Sequence, residues 1–193
     1  LHEKRKAAAE ELTTHIVGDL VFLEMPKVRF AVTVQKQTSL NAAGLDEVDF
    51  LLSVNPGEAM QSLAHVASGG ELSRVMLALK SSVSDKTAAG TLVFDEIDTG
   101  VSGSTAERIG IMLDKLSHGT QVIAVTHSPQ VAARAKAHFC IRKTITDGRA
   151  ESTIAVLTPE ERVSELSRII GGISVTEKQI AAAREMLHES GIL

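Results

Sequence analysis

Two stretches of similar design decide the fold of this chain: TLVFDEIDTG at residues 91–100 and QVIAVTHSPQ at residues 121–130. Each begins as a short apolar run with β-branched residues, as strands do, and turns polar where the strand would end. A glycine-rich or proline-containing connection then leads into a helical pattern. Two strand–helix units in series predict a parallel sheet with crossover helices, and therefore an α/β fold.

Side chains that can carry chemistry follow the predicted ends of these two strands. Asp95 and Glu96 end the first strand, Asp98 follows in the connection, and His127 ends the second. Ligands of open α/β sheets bind at this edge. One carboxylate there can hold Mg²⁺ and its neighbour can polarise water, while an imidazole can donate to a phosphate. Alternatively, these side chains have no ligand and are simply solvated at the strand ends, as is usual for an isolated Asp-Glu pair or a lone histidine.

A third motif, ASGGE at residues 67–71, opens a predicted helix. Ser68 and Glu71 have the spacing of a capping box, so helix capping alone explains them. Gly69 and Gly70 each weaken a first turn, by up to about 1 kcal/mol relative to Ala. They offer bare backbone to a ligand at the positively polarised end of a helix. This combination predicts an anion site, with phosphate as the expected anion.

The remaining elements are predicted from periodicity and turn residues. They are a helix over 3–23, strands over 28–34 and 48–54, a helix from 72 with Leu72, Val75, Met76, Leu79 and Val83 on its apolar face, a β-hairpin of 139–143 with 152–157 about Asp147-Gly148, and two C-terminal helices with capping-box spacing from Thr158 and Ser174.

Composition excludes several classes of protein. The chain has 193 residues, 44% of them hydrophobic, which is enough to form a core without a disulfide or a metal. No apolar run is long enough to cross a bilayer, and the single cysteine, Cys140, fits a reducing cytoplasm. Trp and Tyr are absent, which argues against a stacking platform for single-stranded nucleic acid, and the net charge of −4 excludes a uniformly basic binder.

In order and spacing, the motifs resemble the C-terminal half of an ABC-type ATPase head. They correspond to that family's signature motif at 67–71, Walker B strand at 92–96, D-loop at Asp98 and switch histidine at His127. The similarity is greatest to the SMC-like branch and, within it, to bacterial DNA repair ATPases, whose pattern also includes VNPGE at 54–58. The resemblance implies the C-terminal lobe of a P-loop ATPase head over residues 24–193, preceded by the end of a coiled-coil helix over residues 1–23.

The resemblance also implies the cofactors, ATP and Mg²⁺, and a role for each residue at the strand ends. Asp95 would coordinate Mg²⁺, and Glu96 would orient and activate the attacking water. His127 would sense the γ-phosphate. Asp98 would couple the two nucleotide sites of a dimer.

In that family two heads form a homodimer with ATP between them. Each nucleotide lies between the Walker motifs of one head and the signature motif of the other. Ser68, Gly69, Gly70 and Glu71 of this chain would therefore contact the nucleotide held by a second head. ATP hydrolysis would open and close the head dimer, and the coiled coils would transmit this movement to double-stranded DNA in the repair of double-strand breaks.

Two features depart from the family pattern. Ala67 stands where most members have Leu, which is expected to affect packing only. The sequence contains neither Gly-x-x-x-x-Gly-Lys-Ser/Thr nor a glutamine loop, both of which the family places in the N-terminal half of the head. That half is thus an expected partner, and this chain alone is expected to be inactive. Leu1, inside a helical pattern, is expected to be the cut end of the coiled coil.

Two questions stay open from the sequence. The densest basic stretch is either a solvated hairpin face or a contact with duplex DNA; it comprises Arg134, Lys136, Arg142, Lys143 and Arg149. The rival functions are a nucleotide-binding subunit of an ABC transporter, which usually has Pro where this chain has Ile97, and a scaffold that dimerises without hydrolysis. We expect a cytoplasmic, nucleoid-associated protein with no membrane contact.

Overall fold

The computed structural model describes residues 1–65, 69–83, 90–146 and 149–193. In chain order the elements are α1 His2–Phe22, β1 Arg29–Asn41, β2 Gly44–Ser53, β3 Gln61–Ser62 with a 3₁₀ turn at Leu63–His65, α2 Gly70–Val83, β4 Thr91–Asp95, α3 Gly103–Ser117, β5 Gln121–Val125, α4 Pro129–Arg134, β6 Phe139–Thr146, β7 Arg149–Val156, α5 Pro159–Gly171 and α6 Glu177–Glu189.

The predicted parallel pair is confirmed. β4 and β5 pair in parallel from Thr91 opposite Gln121 to Asp95 opposite Val125, and α3 makes the crossover between them. One face of this pair packs on a core of α2, α3 and α4 residues. Because the two strands run in parallel and in register, the residues that follow them emerge at one edge.

The strands predicted at 28–34 and 48–54 are confirmed, but they form a longer antiparallel hairpin than predicted. β1 and β2 pair from Arg29 opposite Ser53 to Asn41 opposite Gly44, and β3 adds a short third strand. The prediction was too short because residues 35–41 are mostly polar and exposed, so the alternation that marks a half-buried strand is lost there.

Helix α1 is fixed to this hairpin by a polar contact. Asp46 of β2 is only 7% exposed, and its carboxylate oxygens lie 2.6 Å from His2 Nδ1 and 2.9 Å from Arg5 Nη1. Burial raises the pKa of Asp46, but the hydrogen bonds from His2 and Arg5 outweigh it and hold the pKa below its usual value. The start of α1 is therefore held against the hairpin by these polar contacts.

Helix α2 is buried on two sides, which corrects the predicted apolar face. Val75 and Ala78 pack with α1 and the β1–β2 hairpin, whereas Leu77 packs with α3 and the β4–β5 pair. Leu77 is completely buried although it was not on the predicted face, and Met76, which was, is 36% exposed. The prediction of one apolar face was incomplete because α2 lies between two hydrophobic clusters and contributes side chains to both.

The two C-terminal helices pack with α4 in a third cluster. The capping box predicted at Thr158 is confirmed, since Glu161 N donates to Thr158 Oγ1 and Thr158 N to Glu161 Oε2. The box predicted from Ser174 is wrong. The structure begins α6 at Glu177 with Thr176 as the N-cap, and Thr176 N donates to Gln179 Oε1, because the same spacing recurs two residues later.

None of the helices in the described ranges is long and apolar enough to cross a membrane. The turn predicted at Asp147-Gly148 lies outside the described residues, although β6 and β7 pair up to Thr146 and Arg149 on either side of it.

Candidate functional site at the β4–β5 edge

The structure brings the predicted acidic residues and histidine to one edge. Asp95 pairs with Val125, and the backbone N–H of Glu96 donates to Val125 O at 3.2 Å, so the two strands end side by side. The side chains of Asp95, Glu96 and His127 are all exposed there. This edge can therefore present two carboxylates and an imidazole to a ligand from solvent.

The backbone at Glu96 turns sharply. Its φ of 50° lies in the left-handed region, which is uncommon for a residue other than glycine and occurs frequently at functional sites. The turn is closed by Thr99 N, which donates to Glu96 O at 3.1 Å. As a result Glu96 is left exposed while the next two residues, Ile97 and Asp98, turn into the protein.

Asp98 lies apart from the exposed acidic residues. It is 3% exposed, and its Oδ2 accepts hydrogen bonds from Thr126 Oγ1 and, at 3.0 Å, from Ser128 N. Its Oδ1 is buried and has no hydrogen-bond partner among the described residues. The carboxylate is thus directed to the residues on either side of His127 in its own chain.

The signature-like motif is only partly described. Ser68 and Ala67 lie outside the described residues, whereas Gly69 is exposed and Glu71 lies in the first turn of α2. Gly70 begins α2, and a Cβ on it would come within 2.8 Å of Thr99 O. Only glycine fits at that position, so Gly70 is explained by packing against the turn after β4 as well as by any ligand.

The clefts beside Gly69 connect the motif to the strand edge. A cleft of about 300 Å³ between α2 and β4 is lined by Gly69, Lys80 and Asp95. A second cleft of about 480 Å³ lies on the other side of the α2 start and is lined by Ser53, Glu58 and Gly69 among others. The start of α2 is therefore open to a ligand from two directions.

Comparison with known proteins finds similar sequences for nearly the whole chain. The family described as "AAA domain, putative AbiEii toxin, Type IV TA system" matches residues 64–133. The DNA repair protein RecN of Rickettsia felis is 43% identical over 97% of this chain. RecN of Vibrio cholerae is 41% identical over 97%, and RecN of Bacillus subtilis is 40% identical over 96%. This chain is homologous to a segment of RecN.

The segment is about a third of RecN. The chain covers 34% of the Rickettsia felis and Vibrio cholerae proteins and 35% of the Bacillus subtilis protein.

Solved structures place the fold of this RecN homologue among SMC head domains. The Smc head domain with a coiled coil and joint from Pyrococcus yayanosii has a TM-score of 0.58 at 17% identity, covering 97% of this chain and 30% of that one. A structure from work on "ATP-driven dimerization and DNA stimulated activation of SMC ATPases" has a TM-score of 0.55 at 18% identity, covering 90% of this chain and 100% of that one. The fold is thus that of part of an SMC head domain.

Two features of the RecN-like site were missed from the sequence. The first is a hydrogen-bonded loop at 53–58, in which Arg29 Nη2 donates to Ser53 Oγ and Glu58 O, and Asn55 Nδ2 donates to Glu58 Oε1 at 2.9 Å. Asn55-Pro56-Gly57 favours a turn by sequence, but the side-chain hydrogen bonds that hold this loop were not predicted. The Asn-Pro-Gly turn followed by Glu58 was the sequence signal for an ordered, hydrogen-bonded loop.

The second missed feature is a buried cation below the start of α2. Arg74 is 9% exposed, and its Nε donates to Met25 Sδ at 3.4 Å. Burial lowers the pKa of Arg74, and Glu71 opposes the shift. Its Nη1 would lie 3.3 Å from a Cβ at Gly70. An arginine between apolar residues of a helix is the signal that could have identified it.

The basic stretch does not form one surface. β6 and β7 pair as a hairpin, and the alternation of strands puts Lys143 on one face with Ile141, whereas Arg142 and Arg149 lie on the other. Arg134 lies outside the hairpin and forms an ion pair with Glu107, with 3.4 Å between Nη2 and Oε1. This division favours the interpretation of a solvated hairpin over that of a single contact surface for duplex DNA.

Proposed function

We propose that this chain is half of the ATP-hydrolysing head of a RecN-type DNA repair protein. The observation that carries the proposal is the β4–β5 edge, where Asp95, Glu96 and His127 stand exposed on adjacent parallel strands. These residues match the family's catalytic motifs. The sequence of this chain is 40% identical to Bacillus subtilis RecN over 96% of the chain's own length. The cofactors in this proposal are ATP and Mg²⁺.

The strand edge fits Mg²⁺ of the kind that accompanies nucleotides. Mg²⁺ is held in such sites by one or two carboxylates together with phosphate oxygens, so a cage of many protein ligands is not required. Asp95 would be the carboxylate ligand, and bound Mg²⁺ would neutralise charge on the phosphates. Glu96 would accept a proton from the attacking water, and His127 would donate a hydrogen bond to the terminal phosphate.

The start of α2 would serve a second nucleotide, held by another head. Supporting this, Gly69 is exposed immediately before the first turn of α2, a helix whose N-terminal N–H groups attract anions. Ser68, Gly69 and Gly70 would donate to the γ-phosphate, with Glu71 beside them. The homodimer would thus be joined through ATP, in keeping with the ATP-driven dimerization described for the related SMC ATPases.

The other half of the head would come from the part of RecN that this chain does not match. Supporting this, Val93, Ile123 and Val125 are 66%, 47% and 50% exposed on the outer face of β4–β5. Parallel sheets are normally covered on both faces. Residues 24–193 would thus be the C-terminal half of the head and residues 1–23 the end of a coiled coil that transmits head movement to double-stranded DNA. We expect a cytoplasmic, nucleoid-associated protein.

The test is ATP hydrolysis by a complete RecN head that carries this chain. Glu96→Gln should slow turnover by roughly 10² to 10⁴, the range for a lost general base, and should preserve ATP-dependent dimerisation. Glu185→Gln, at an exposed position of α6, is the matched control and should leave turnover unchanged. Equal turnover in the two variants would refute the assignment of Glu96.

A further inference from the structure

We infer that Asp98 acts within its own chain as a positioning residue for His127, an inference that rests on the proposed function. The family resemblance implies that this residue communicates across the dimer. The contacts described for it lead elsewhere, because its carboxylate is 3% exposed and is directed to the turn that carries His127.

The contacts surround His127 on both sides. Asp98 Oδ2 accepts from the Thr126 hydroxyl and from the Ser128 backbone N–H at 3.0 Å. Ser128 N also lies 3.0 Å from Thr126 Oγ1, so the three groups form a closed ring of hydrogen bonds. The residue between Thr126 and Ser128 is thus held through the side chain before it and the peptide N–H after it, while its imidazole stays exposed.

The backbone of Asp98 belongs to the turn after the other strand. Asp98 lies two residues after Glu96, in the turn closed by Thr99 N and Glu96 O. One buried anion therefore connects the turn after β4 with the turn after β5. This connection sets the distance between the carboxylate that activates water and the imidazole that contacts the phosphate, and an error of about 1 Å in such a distance can cost 10²-fold in rate.

A role limited to folding does not account for this choice of residue. A buried carboxylate is costly unless its oxygens are paired, and Oδ1 has no partner among the described residues. A neutral side chain could tie two loops together without this cost. The anion is useful because hydrogen bonds to a charged acceptor are about twice as strong as neutral ones, and so keep the turn rigid.

The experiment uses a complete RecN-type protein that carries this chain. Thr126→Val removes one donor at nearly constant volume and should lower kcat roughly ten- to a hundredfold with little change in KM, because the turn is no longer fixed. Thr126→Ser restores the hydroxyl and should recover most of the loss. Thr153→Val, on the exposed face of β7, is the matched control and should leave turnover unchanged.

Two further measurements separate positioning from folding. In a His127→Ala background, Thr126→Val should reduce turnover by less than about twofold, since residues that act through one another are not additive. Hydrogen exchange of the Ser128 amide should become at least about tenfold faster in Asp98→Ala, because one of its two acceptors is lost and the other, Thr126 Oγ1, loses the carboxylate that orients it, while Thr153→Val leaves the exchange unchanged.

Each outcome decides the matter. The inference is overturned if Thr126→Val costs the same factor with and without His127, or if Ser128 exchange does not change in Asp98→Ala. Loss of ATP-dependent dimerisation in Asp98→Ala with Ser128 still protected would also overturn it in favour of a contact across the dimer. A complete protein that hydrolyses no ATP would overturn the proposed function and this inference together, whereas the other outcomes leave the proposed function standing.

Discussion

The two faces of the β4–β5 pair differ in what covers them. On the inner face, Leu92, Phe94 and Val122 pack against the completely buried Ile109 and its neighbours. On the outer face, Val93 is 66% exposed, although it is as apolar as the inner residues. The same strands thus carry apolar residues on both sides, but this chain buries only one side.

The difference shows that the inner face of the β4–β5 pair is stabilised within this chain, whereas the outer face is not. Burial of apolar area stabilises by roughly 25 cal/mol per Å², and the inner face already gains this stabilisation from α3. The outer face would gain it only from a further layer, as parallel sheets normally have. We therefore expect mutations on the inner face to affect this chain, and mutations on the outer face to affect the complete head.

The largest expected effect tests this comparison directly. Ile109→Ala, in the core below the inner face, should lower the free energy of unfolding by about 2–5 kcal/mol, the cost of a large cavity in a core. Ile123→Ala, on the outer face at 47% exposure, should cost less than about 1 kcal/mol in this chain. Urea denaturation of both variants measures the two values, and similar losses would break the comparison.

The same outer-face variant should behave differently in a complete head. There Ile123→Ala should cost about 1–2 kcal/mol more than in this chain, because the side chain loses contacts with the added layer. The matched control is Ile145→Ala at the end of β6, where the isoleucine is 81% exposed. An Ile123→Ala cost that is equal in both proteins would show that the outer face stays open to solvent.

An effect smaller than that of Ile109→Ala is expected where α5 packs against α4. Arg162 is 3% exposed, and its Nη2 donates to the carbonyls of Ala132, Ala133 and Ala135 at 2.7–3.2 Å. Arg162→Met should cost about 1–3 kcal/mol, since three carbonyls lose their donor while the burial of a charge is relieved. Thermal unfolding of Arg162→Met and of the unchanged chain measures this loss of stability. A stabilised variant would show that burial of the guanidinium costs more than its hydrogen bonds contribute.

The smallest effect is a pH dependence in the same closed region. Burial lowers the pKa of His138, and the positive charge of Arg162 lowers it further, against the opposing effect of Glu165. Because the unfolded chain binds the proton more readily, stability should fall as the pH falls below the unfolded value of about 6.5.

His138→Gln should flatten this dependence between about pH 7 and 5.5, measured as the midpoint of urea denaturation at each pH. The matched control is His118→Gln on the exposed end of α3, where His118 Nδ1 lies 2.9 Å from Asp114 O. An unchanged slope in His138→Gln would contradict the assigned cause.

The sequence predicts those elements well that pack on one side against a single hydrophobic cluster. The β4 and β5 runs were predicted almost to the residue, because apolar strands followed by acid, glycine or proline give a clear end. The extension of β1 beyond residue 34 was not predictable, since that part is polar and exposed, and the partner strand there is fixed to α1 by the contact of Asp46. Leu77 was missed because α2 faces two cores.

The candidate site divides in the same way. Asp95, Glu96 and His127 were predictable, because parallel strands end at a common edge and these residues follow the ends. The burial of Asp98 was not, since it depends on the left-handed turn at Glu96, which no residue type signals. The long-range approach of Gly70 to Thr99 was equally absent from the local pattern.

The most direct test of the central claim is the affinity for ATP in the presence of Mg²⁺, measured by calorimetry for this chain alone and for a complete RecN head that carries it. We predict no tight binding by the chain alone, with a Kd weaker than about 1 mM or about −4 kcal/mol, because its sequence has no Gly-rich loop with the phosphate-binding lysine. The complete head should bind at least about a hundredfold more tightly, a gain of some 2.7 kcal/mol. Tight, Mg²⁺-dependent binding by the chain alone would contradict the claim that this chain supplies only half of the site.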